Sequence, residues 1–304
     1  MIGSMSNHST QRDWGRLITA MLTPFAEDGS VAYAEAARLA KWLVEVQRND
    51  GLVVSGTTGE SPTLDEDEKL RLLDTVLEAV GDTAAVVFGA GTYNTAESIR
   101  LAKAAERAGA HGAMLVNPYY SRPGQEGLYA HFAAVAESVS LRVMLYNIQG
   151  RSAINLETPT LMRLTEVANI VAVKEASGNI GQIGDVCASV PVGFRVYCGD
   201  DALTLPALAL GAHGVVSVAG HVLGRQIKEM IERFPSDWPE ALRLHREMLR
   251  PTRALFQYPN PVPVKFALSL RGFACESVRL PLVVLDEHQK QDIRRALPIL
   301  LGFG

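Results

Sequence analysis

A chemical reading of this 304-residue chain begins at Lys174, which ends the run Ile170-Val171-Ala172-Val173 and is followed by Glu175-Ala176-Ser177. The run is short, apolar and β-branched, which predicts a buried strand of a parallel sheet. An ammonium at the end of such a strand is costly to desolvate, and two readings compete. In one, the amine pairs with a carboxylate or snorkels to water along its stem. In the other, apolar surroundings lower its pKa so that it attacks a carbonyl and forms a Schiff base. Structural lysines are far commoner than catalytic ones, so the residue alone does not choose.

Further groups suited to such chemistry stand just beyond other apolar runs. Ser55, Thr57 and Thr58 are interleaved with Gly56 and Gly59. A glycine-flanked turn next to a helix N-terminus makes a small anion site, and hydroxyls beside it bind a carboxylate or relay a proton. The turn alone also reads as an ordinary Ser/Thr cap. Tyr119 and Tyr120 follow a fourth run, where tyrosines more often pack or face a partner. Tyr146 ends a fifth, with Arg151 five residues on. A phenol there serves as a general acid or base. The guanidinium clamps a carboxylate or makes a surface ion pair. Gly199-Asp200-Asp201 and Ser217 end two more runs. One amine, phenols, hydroxyls, an anion nest and an arginine suit imine chemistry on a small oxo acid. No cluster of His and carboxylates has metal-site spacing, so no metal is expected.

These groups need a frame that gathers strand ends. Strands are predicted at 16–21, 51–56, 84–89, 112–116, 142–146, 170–174, 194–198 and 214–218. Helices are predicted at 33–48, 65–80, 95–108, 125–139, 158–167, 180–189, 203–210 and 224–234. Eight β-α units with short apolar strands predict a closed (β/α)8 TIM barrel, whose loops after the strands carry the active site. An open doubly wound sheet is the alternative. It calls for a glycine-rich turn after the first strand, and Leu22-Thr23-Pro24-Phe25 is not one. Gly89-Ala90-Gly91 reads as a tight turn. Residues 14–235 are assigned to the barrel and 236–304 to a C-terminal helical appendage. The appendage has a linker at 235–239 and helices at 239–256, near 262–271 and at 286–301. Its stretch Tyr258–Lys265 is too proline-rich for a continuous helix. Residues 1–13 are set aside as a flexible N-terminus or tag remnant.

Composition narrows the function classes. A net charge of −4 gives no basic excess for nucleic acid or an acidic membrane surface. No apolar run reaches transmembrane length, and the first thirty residues lack a signal-peptide core. Cys187, Cys198 and Cys275 form no CxxC pair. They read as small core fillers in a reducing, cytoplasmic protein.

Five segments together resemble the dihydrodipicolinate synthase / N-acetylneuraminate lyase family of class I aldolases. They are Gly56-Thr57-Thr58-Gly59-Glu60-Ser61, Pro118-Tyr119-Tyr120, Leu145-Tyr146-Asn147, Val173-Lys174-Glu175-Ala176 and Gly199-Asp200-Asp201. Order and spacing match from about residue 14 to 300. The stretches 119–128 and 259–265 resemble the synthase branch. The resemblance implies that Lys174 forms a Schiff base with pyruvate and that Tyr146 shuttles protons. Thr57 would link Tyr146 to Tyr120, which would reach a neighbouring subunit's site. Thr58 would hold the pyruvate carboxylate, with Val216 giving a backbone contact and Gly199 among the substrate-binding residues. Arg151 would hold the carboxylate of aspartate semialdehyde. The family also implies no cofactor beyond the imine, a place in lysine and diaminopimelate biosynthesis, and a homotetramer of tight dimers.

The chain departs from the synthase pattern at Gln149, where a proline is usual, and at Ser152-Ala153, where Thr-Gly is usual. Losing the proline is expected to loosen the Arg151 loop. Where lysine-inhibited members often carry histidines and an asparagine, this chain has Glu66, Lys69 and Tyr93, so lysine feedback is expected to be weak. Two other functions compete: a sister pyruvate-dependent aldolase acting on a sialic acid, a 2-keto-3-deoxy sugar acid or 4-hydroxy-2-oxoglutarate, and a non-catalytic ligand-binding barrel. Arg151 disfavours the first, because a polyol calls for hydroxyl-binding groups. The joint presence of Lys174, Tyr146, Thr57 and Tyr120 disfavours the second.

Overall fold

A computed structural model describes residues 12–297. Strands β1 (Leu17–Ala20), β2 (Gly51–Val54), β3 (Ala85–Gly89), β4 (Gly112–Val116), β5 (Val143–Asn147), β6 (Ile170–Glu175), β7 (Arg195–Cys198) and β8 (Gly214–Ser217) form a closed parallel barrel in sequence order. Closure is direct, with Leu17, Ile18 and Thr19 of β1 in register with Val215, Val216 and Ser217 of β8. Helices α1 (Tyr33–Lys41), α2 (Glu66–Val80), α3 (Thr95–Arg107), α4 (Gln125–Ala136), α5 (Gln149–Ser152), α6 (Thr158–Leu164), α7 (Ile180–Ser189), α8 (Thr204–Ala209) and α9 (Gly220–Arg233) follow the strands. The (β/α)8 architecture read from the sequence is therefore the observed one.

The strands are buried on both faces, so their residues divide between two cores. Inward positions such as Ile18, Val53, Val87, Met114, Met144, Ala172 and Val216 fill the barrel, and Trp14 joins them. Trp14 Nε1 donates to His111 O at 2.9 Å and Tyr197 Oη to Gly15 O at 2.8 Å, so both buried polar tips are satisfied. Outward positions such as Leu17, Leu52, Val86, Leu115, Val143 and Val173 meet the helices. Cys198 and Cys275 belong to this outer core and the half-buried Cys187 packs against it, as small fillers do.

Several boundaries differ from those predicted. The helix predicted over 33–48 leaves regular geometry at Trp42 and closes on a wider turn, with Gln47 N donating to Trp42 O at 3.0 Å. Helix α9 starts at Gly220, four residues before the predicted 224, and kinks at Leu223. The predicted linker at 235–239 already contains the start of α10 (Trp238–Ala254), because Asp237 caps it from Glu240 N and Pro239 sits harmlessly in the first turn. In the proline-rich stretch, α11 (Val262–Ser269) begins straight after Pro261, with Pro263 again in the first turn. The last helix, α12 (Glu287–Ala296), is capped at Leu297. The rest of the span predicted to 301, residues 298–301, lies outside the described residues, as do 1–11. Arg12 and Asp13, set aside with the N-terminus, are engaged: Arg12 donates to Asp82 O and Asp13 pairs with Arg195.

His221 joins the helical layer to the barrel. Leu22 N donates to its Nε2 at 3.1 Å and its Nδ1–H donates to Val218 O at 2.8 Å, an arrangement open only to the neutral ring. Burial lowers its pKa from 6.5 to about 4, and burial does the same to His131. The unfolded chain binds protons below about pH 6.5 that the folded chain refuses. Stability is thus full above that pH and falls as pH drops towards 4, by up to about 1.4 kcal/mol per pH unit for each ring. Urea unfolding between pH 7 and 5 should show this decline. His221→Gln, which keeps an acceptor for Leu22 but cannot titrate, should remove about half of this decline and leave the part due to His131; an unchanged slope would refute the assignment.

Candidate active site

Parallel register places Lys174 beside Tyr146, and both point into the mouth of the barrel. Lys174 is only 4 % exposed, and its Nζ lies 4.2 Å from the centre of the Tyr146 ring. Among the described residues its amine makes no hydrogen bond or ion pair. The adjacent carboxylate, Glu175, points to the other face, as strand alternation requires. Gly199, whose N–H donates to Glu175 O at 2.8 Å, lies against the lysine stem. A Cβ on it would stand 2.5 Å from Ala176 Cβ and 3.0 Å from Lys174 Cε. This glycine therefore makes room for the amine, a role that its position in a Gly-Asp-Asp motif does not reveal.

The outward side of the same strand ends positions Arg151. Glu175 accepts from Asn147 Nδ2 at 2.9 Å, Gln182 Nε2 at 3.2 Å and Ser177 N at 2.8 Å. Asn147 in turn bonds Asn155 Oδ1 and accepts from Asn117 Nδ2 and Leu156 N. This buried amide and carboxylate network fixes both ends of the 148–156 segment. Within it, Gln149–Ser152 forms the single helical turn α5. Ser152 Oγ donates to Ile148 O at 2.8 Å, and Ala153 closes the turn at φ +60° with its N–H on Gln149 O. The loosening expected from the lost proline gives way to a turn closed by its own hydrogen bonds.

The 55–63 segment forms the opposite wall. Ser55 and Glu60 adopt left-handed φ values of +57° and +54°, a costly conformation for residues with side chains. The tight path depends on Gly89, where a Cβ would meet Ser55 O at 2.3 Å. The wall is held from behind by the C-terminal appendage. Glu60 forms a buried ion pair with Lys265 at 2.5 Å and accepts from Arg279 N at 3.1 Å. Lys265 Nζ also donates to Ser277 O at 2.7 Å. Burial lowers the Lys265 pKa, and the Glu60 carboxylate opposes that shift. Asn260 Nδ2 donates to Thr58 Oγ1 at 3.0 Å, leaving the threonine hydrogen free to donate. Asn260 and Lys265 were not read as site residues. A lysine within the apolar run Val262–Leu268 was the available signal, the same one that marks Lys174.

A cavity of about 180 Å³ lies between these walls. Thr57, Tyr146 and Arg151 all line it, with Ser55, Tyr119 and Ser152. Thr58 is buried and turned to Asn260. Val216 is fully buried among the inward side chains. Tyr120 stands apart: it is 92 % exposed, at φ +68°, and does not bond Thr57 within the chain. Tyr93 packs edge-on against Tyr119 at 5.2 Å, and burial raises the Tyr119 pKa. Glu66 pairs with Arg100. Asp201 is buried at the end of β7; burial raises its pKa, opposed by hydrogen bonds from Ser217 Oγ, Val218 N and Ala219 N. Among the described residues, no three His, Cys, Asp or Glu side chains converge as metal ligands, and no helix is long and apolar enough to cross a membrane.

A model of the dihydrodipicolinate synthetase family matches residues 13–300. A 4-hydroxy-tetrahydrodipicolinate synthase from Desulforamulus reducens is 54 % identical over 287 residues, covering 94 % of this chain and 97 % of the relative. One from Symbiobacterium thermophilum is 51 % identical over 286 residues, covering 93 % and 97 %. Among solved structures, a dihydrodipicolinate synthase from Bacillus anthracis superposes with a TM-score of 0.92 at 43 % identity, covering 96 % of this chain and 99 % of that one. A DHDPS from Cyanidioschyzon merolae with lysine bound gives 0.91 at 43 %, covering 94 % and 98 %.

The Gly199 contact has a direct consequence. Gly199→Ala should displace the Lys174 stem while leaving the fold intact, since the glycine's φ is not left-handed. A misplacement near 1 Å costs about 100-fold in rate. Turnover should fall by about that factor with an unchanged circular dichroism spectrum, and activity within threefold of the parent would show that Lys174 does not need the space.

Proposed function

The chain belongs to the dihydrodipicolinate synthetase family, and from that premise we propose that it condenses pyruvate with aspartate semialdehyde through an imine on Lys174. The observation that carries the reading is an enclosed, unpaired amine over the Tyr146 ring, beside a cavity that Arg151 lines. Lys174 Nζ attacks the pyruvate keto carbon, and the carbonyl oxygen leaves as water. Loss of a methyl proton gives an enamine, whose carbon attacks the aldehyde and forms the carbon–carbon bond. The substrate's own amine then displaces Lys174 and closes the ring. Water and 4-hydroxy-tetrahydrodipicolinate are the products. Tyr146 passes protons during imine formation and aldehyde attack, through Thr57, which lines the same cavity. The Thr58 hydroxyl, oriented by Asn260, and the N–H groups near it hold the pyruvate carboxylate. Val216 adds a backbone contact. Arg151 holds the aldehyde's carboxylate in a bidentate grip.

This chemistry needs no cofactor beyond the lysine. The exposed, left-handed Tyr120 is consistent with a phenol that completes the relay in a neighbouring subunit, within a tetramer built from tight dimers. Three free cysteines fit a cytoplasmic setting, and the reaction opens the route to diaminopimelate and lysine.

Borohydride treatment in the presence of pyruvate should add the mass of reduced pyruvate to the protein, and Lys174→Ala should take up none. Tyr146→Phe should lower turnover by about 100- to 10,000-fold, the usual worth of a general acid–base group. A coupled assay should give product from pyruvate and aspartate semialdehyde. Turnover of sialic or 2-keto-3-deoxy sugar acids in its place would assign the chain to a sister aldolase.

Feedback by lysine is read as weak. Lys69 is buried near Glu97 and Asp65, and with Tyr93 it would repel or crowd a lysine ligand. Millimolar lysine should leave most of the activity; strong suppression would refute this.

A further inference from the structure

Beyond the cavity that holds Tyr146, the mouth opens into a second one of about 380 Å³. The two share Ile148 and Arg151. Gly199 and Ala176 line the second cavity, and Gly199 lies against the stem of Lys174, where a Cβ would stand 3.0 Å from Lys174 Cε. A molecule entering on this side therefore meets Arg151, which lines both cavities, on the way to the one that Tyr146 lines. The far wall is supplied by the C-terminal appendage, through Arg253 on the last turn of α10 and Phe256 just beyond it.

The charges lining this space do not cancel. Arg151 and Arg253 are two permanent cations. Asp200 is the one carboxylate lining the cavity, and its Oδ1 already accepts from Ala202 N at 2.9 Å. Among the described residues, neither guanidinium is engaged in a hydrogen bond or ion pair. Elsewhere on α10, Arg243 pairs with Glu240 and Glu247 and Arg250 bonds Arg295 O, while Arg246 is also unengaged among the described residues but does not line this cavity. Two uncommitted guanidiniums facing one partly enclosed space concentrate positive potential there, which draws in and orients an anion.

We propose that Arg253 is a specificity-determining residue: it receives the anionic group of the incoming aldehyde on the open side of the mouth and delivers it to Arg151, so that the enzyme selects aldehydes carrying a carboxylate over neutral ones. This rests on the imine reading above and extends it from the first substrate to the second. Arg253 is not placed in the imine chemistry, so its replacement should leave pyruvate capture intact.

The test compares two four-carbon aldehydes on enzyme already charged with pyruvate, one ending in a carboxylate (succinic semialdehyde) and one neutral (butyraldehyde). Consumption of the enamine is read as loss of the pyruvate adduct that borohydride can trap. Arg253→Gln should slow capture of the anionic aldehyde about tenfold and Arg253→Glu further, in line with loss of a charged hydrogen bond. Arg253→Lys should restore part of the rate. Capture of butyraldehyde and the rate of pyruvate trapping should be unchanged. Equal effects on both aldehydes, effects within twofold for Gln and Glu, or failure of the parent to consume either aldehyde would overturn the proposal. If the parent captures succinic semialdehyde and Arg253→Gln slows it, but aspartate semialdehyde gives no product, the functional reading falls and the role of Arg253 stands.

Discussion

The mouth of this barrel is built around the cost of placing an amine inside it. A primary amine withdrawn from water needs a carboxylate, a set of acceptors or a reason to stay unpaired. Lys174 has neither of the first two. It has the face of Tyr146 on one side and the empty space of Gly199 on the other. Strand alternation makes the arrangement economical. The next residue, Glu175, faces outward, where its carboxylate is fully used by Asn147, Gln182 and Ser177. Had that carboxylate faced inward it would have paired with the lysine and removed its nucleophile. One residue step along β6 separates the unpaired amine from the carboxylate that anchors the Arg151 turn.

The opposite wall obeys a similar rule on a longer sequence scale. The 55–63 segment holds two non-glycine residues in left-handed geometry, and such strain persists only where surrounding structure over-determines it. The surrounding structure here is the C-terminal appendage, through the Glu60–Lys265 pair and the Asn260–Thr58 hydrogen bond. Removing one partner of a buried pair is far more damaging than the pair is stabilising. The appendage is therefore part of the cavity walls as well as a cover for the barrel, which gives it two contacts with the mouth: Asn260 and Lys265 behind the hydroxyl turn, and Arg253 at the open side.

The barrel was legible in the sequence because each of its strands is a short apolar run ended by polar residues, a pattern that survives without tertiary information. Lys174, Tyr146, Thr57 and Arg151 were legible as members of one mouth, since parallel strands deliver their C-terminal ends to the same side. Contacts between distant segments were not. Lys265 lies 205 positions from Glu60 by numbering, and nothing local couples them. Nor does a glycine's letter show whether it serves a ligand or a neighbour: the resemblance implies that Gly199 binds substrate, and the structure sets it against the stem of Lys174. Helix starts were displaced for local reasons: α10 begins at Trp238, one residue before the predicted 239, under its Asp237 cap, and α9 begins at Gly220, four before the predicted 224, because a kink at Leu223 breaks its first turn from the rest.

The departure at Gln149 is best understood through what a proline would have done. Proline fixes one dihedral of the turn before Arg151 and donates no hydrogen bond. Here the same turn is closed through bonds instead: the N–H groups of Arg151 and Ser152 donate to Ile148 O, the Ser152 hydroxyl joins them, and Ala153 accepts the left-handed geometry that glycine usually takes. Backbone restriction before the arginine has been exchanged for hydrogen bonding after it. The guanidinium keeps its place between the two cavities, so what it meets there depends less on the shape of this turn than on the charges that face it across the open mouth.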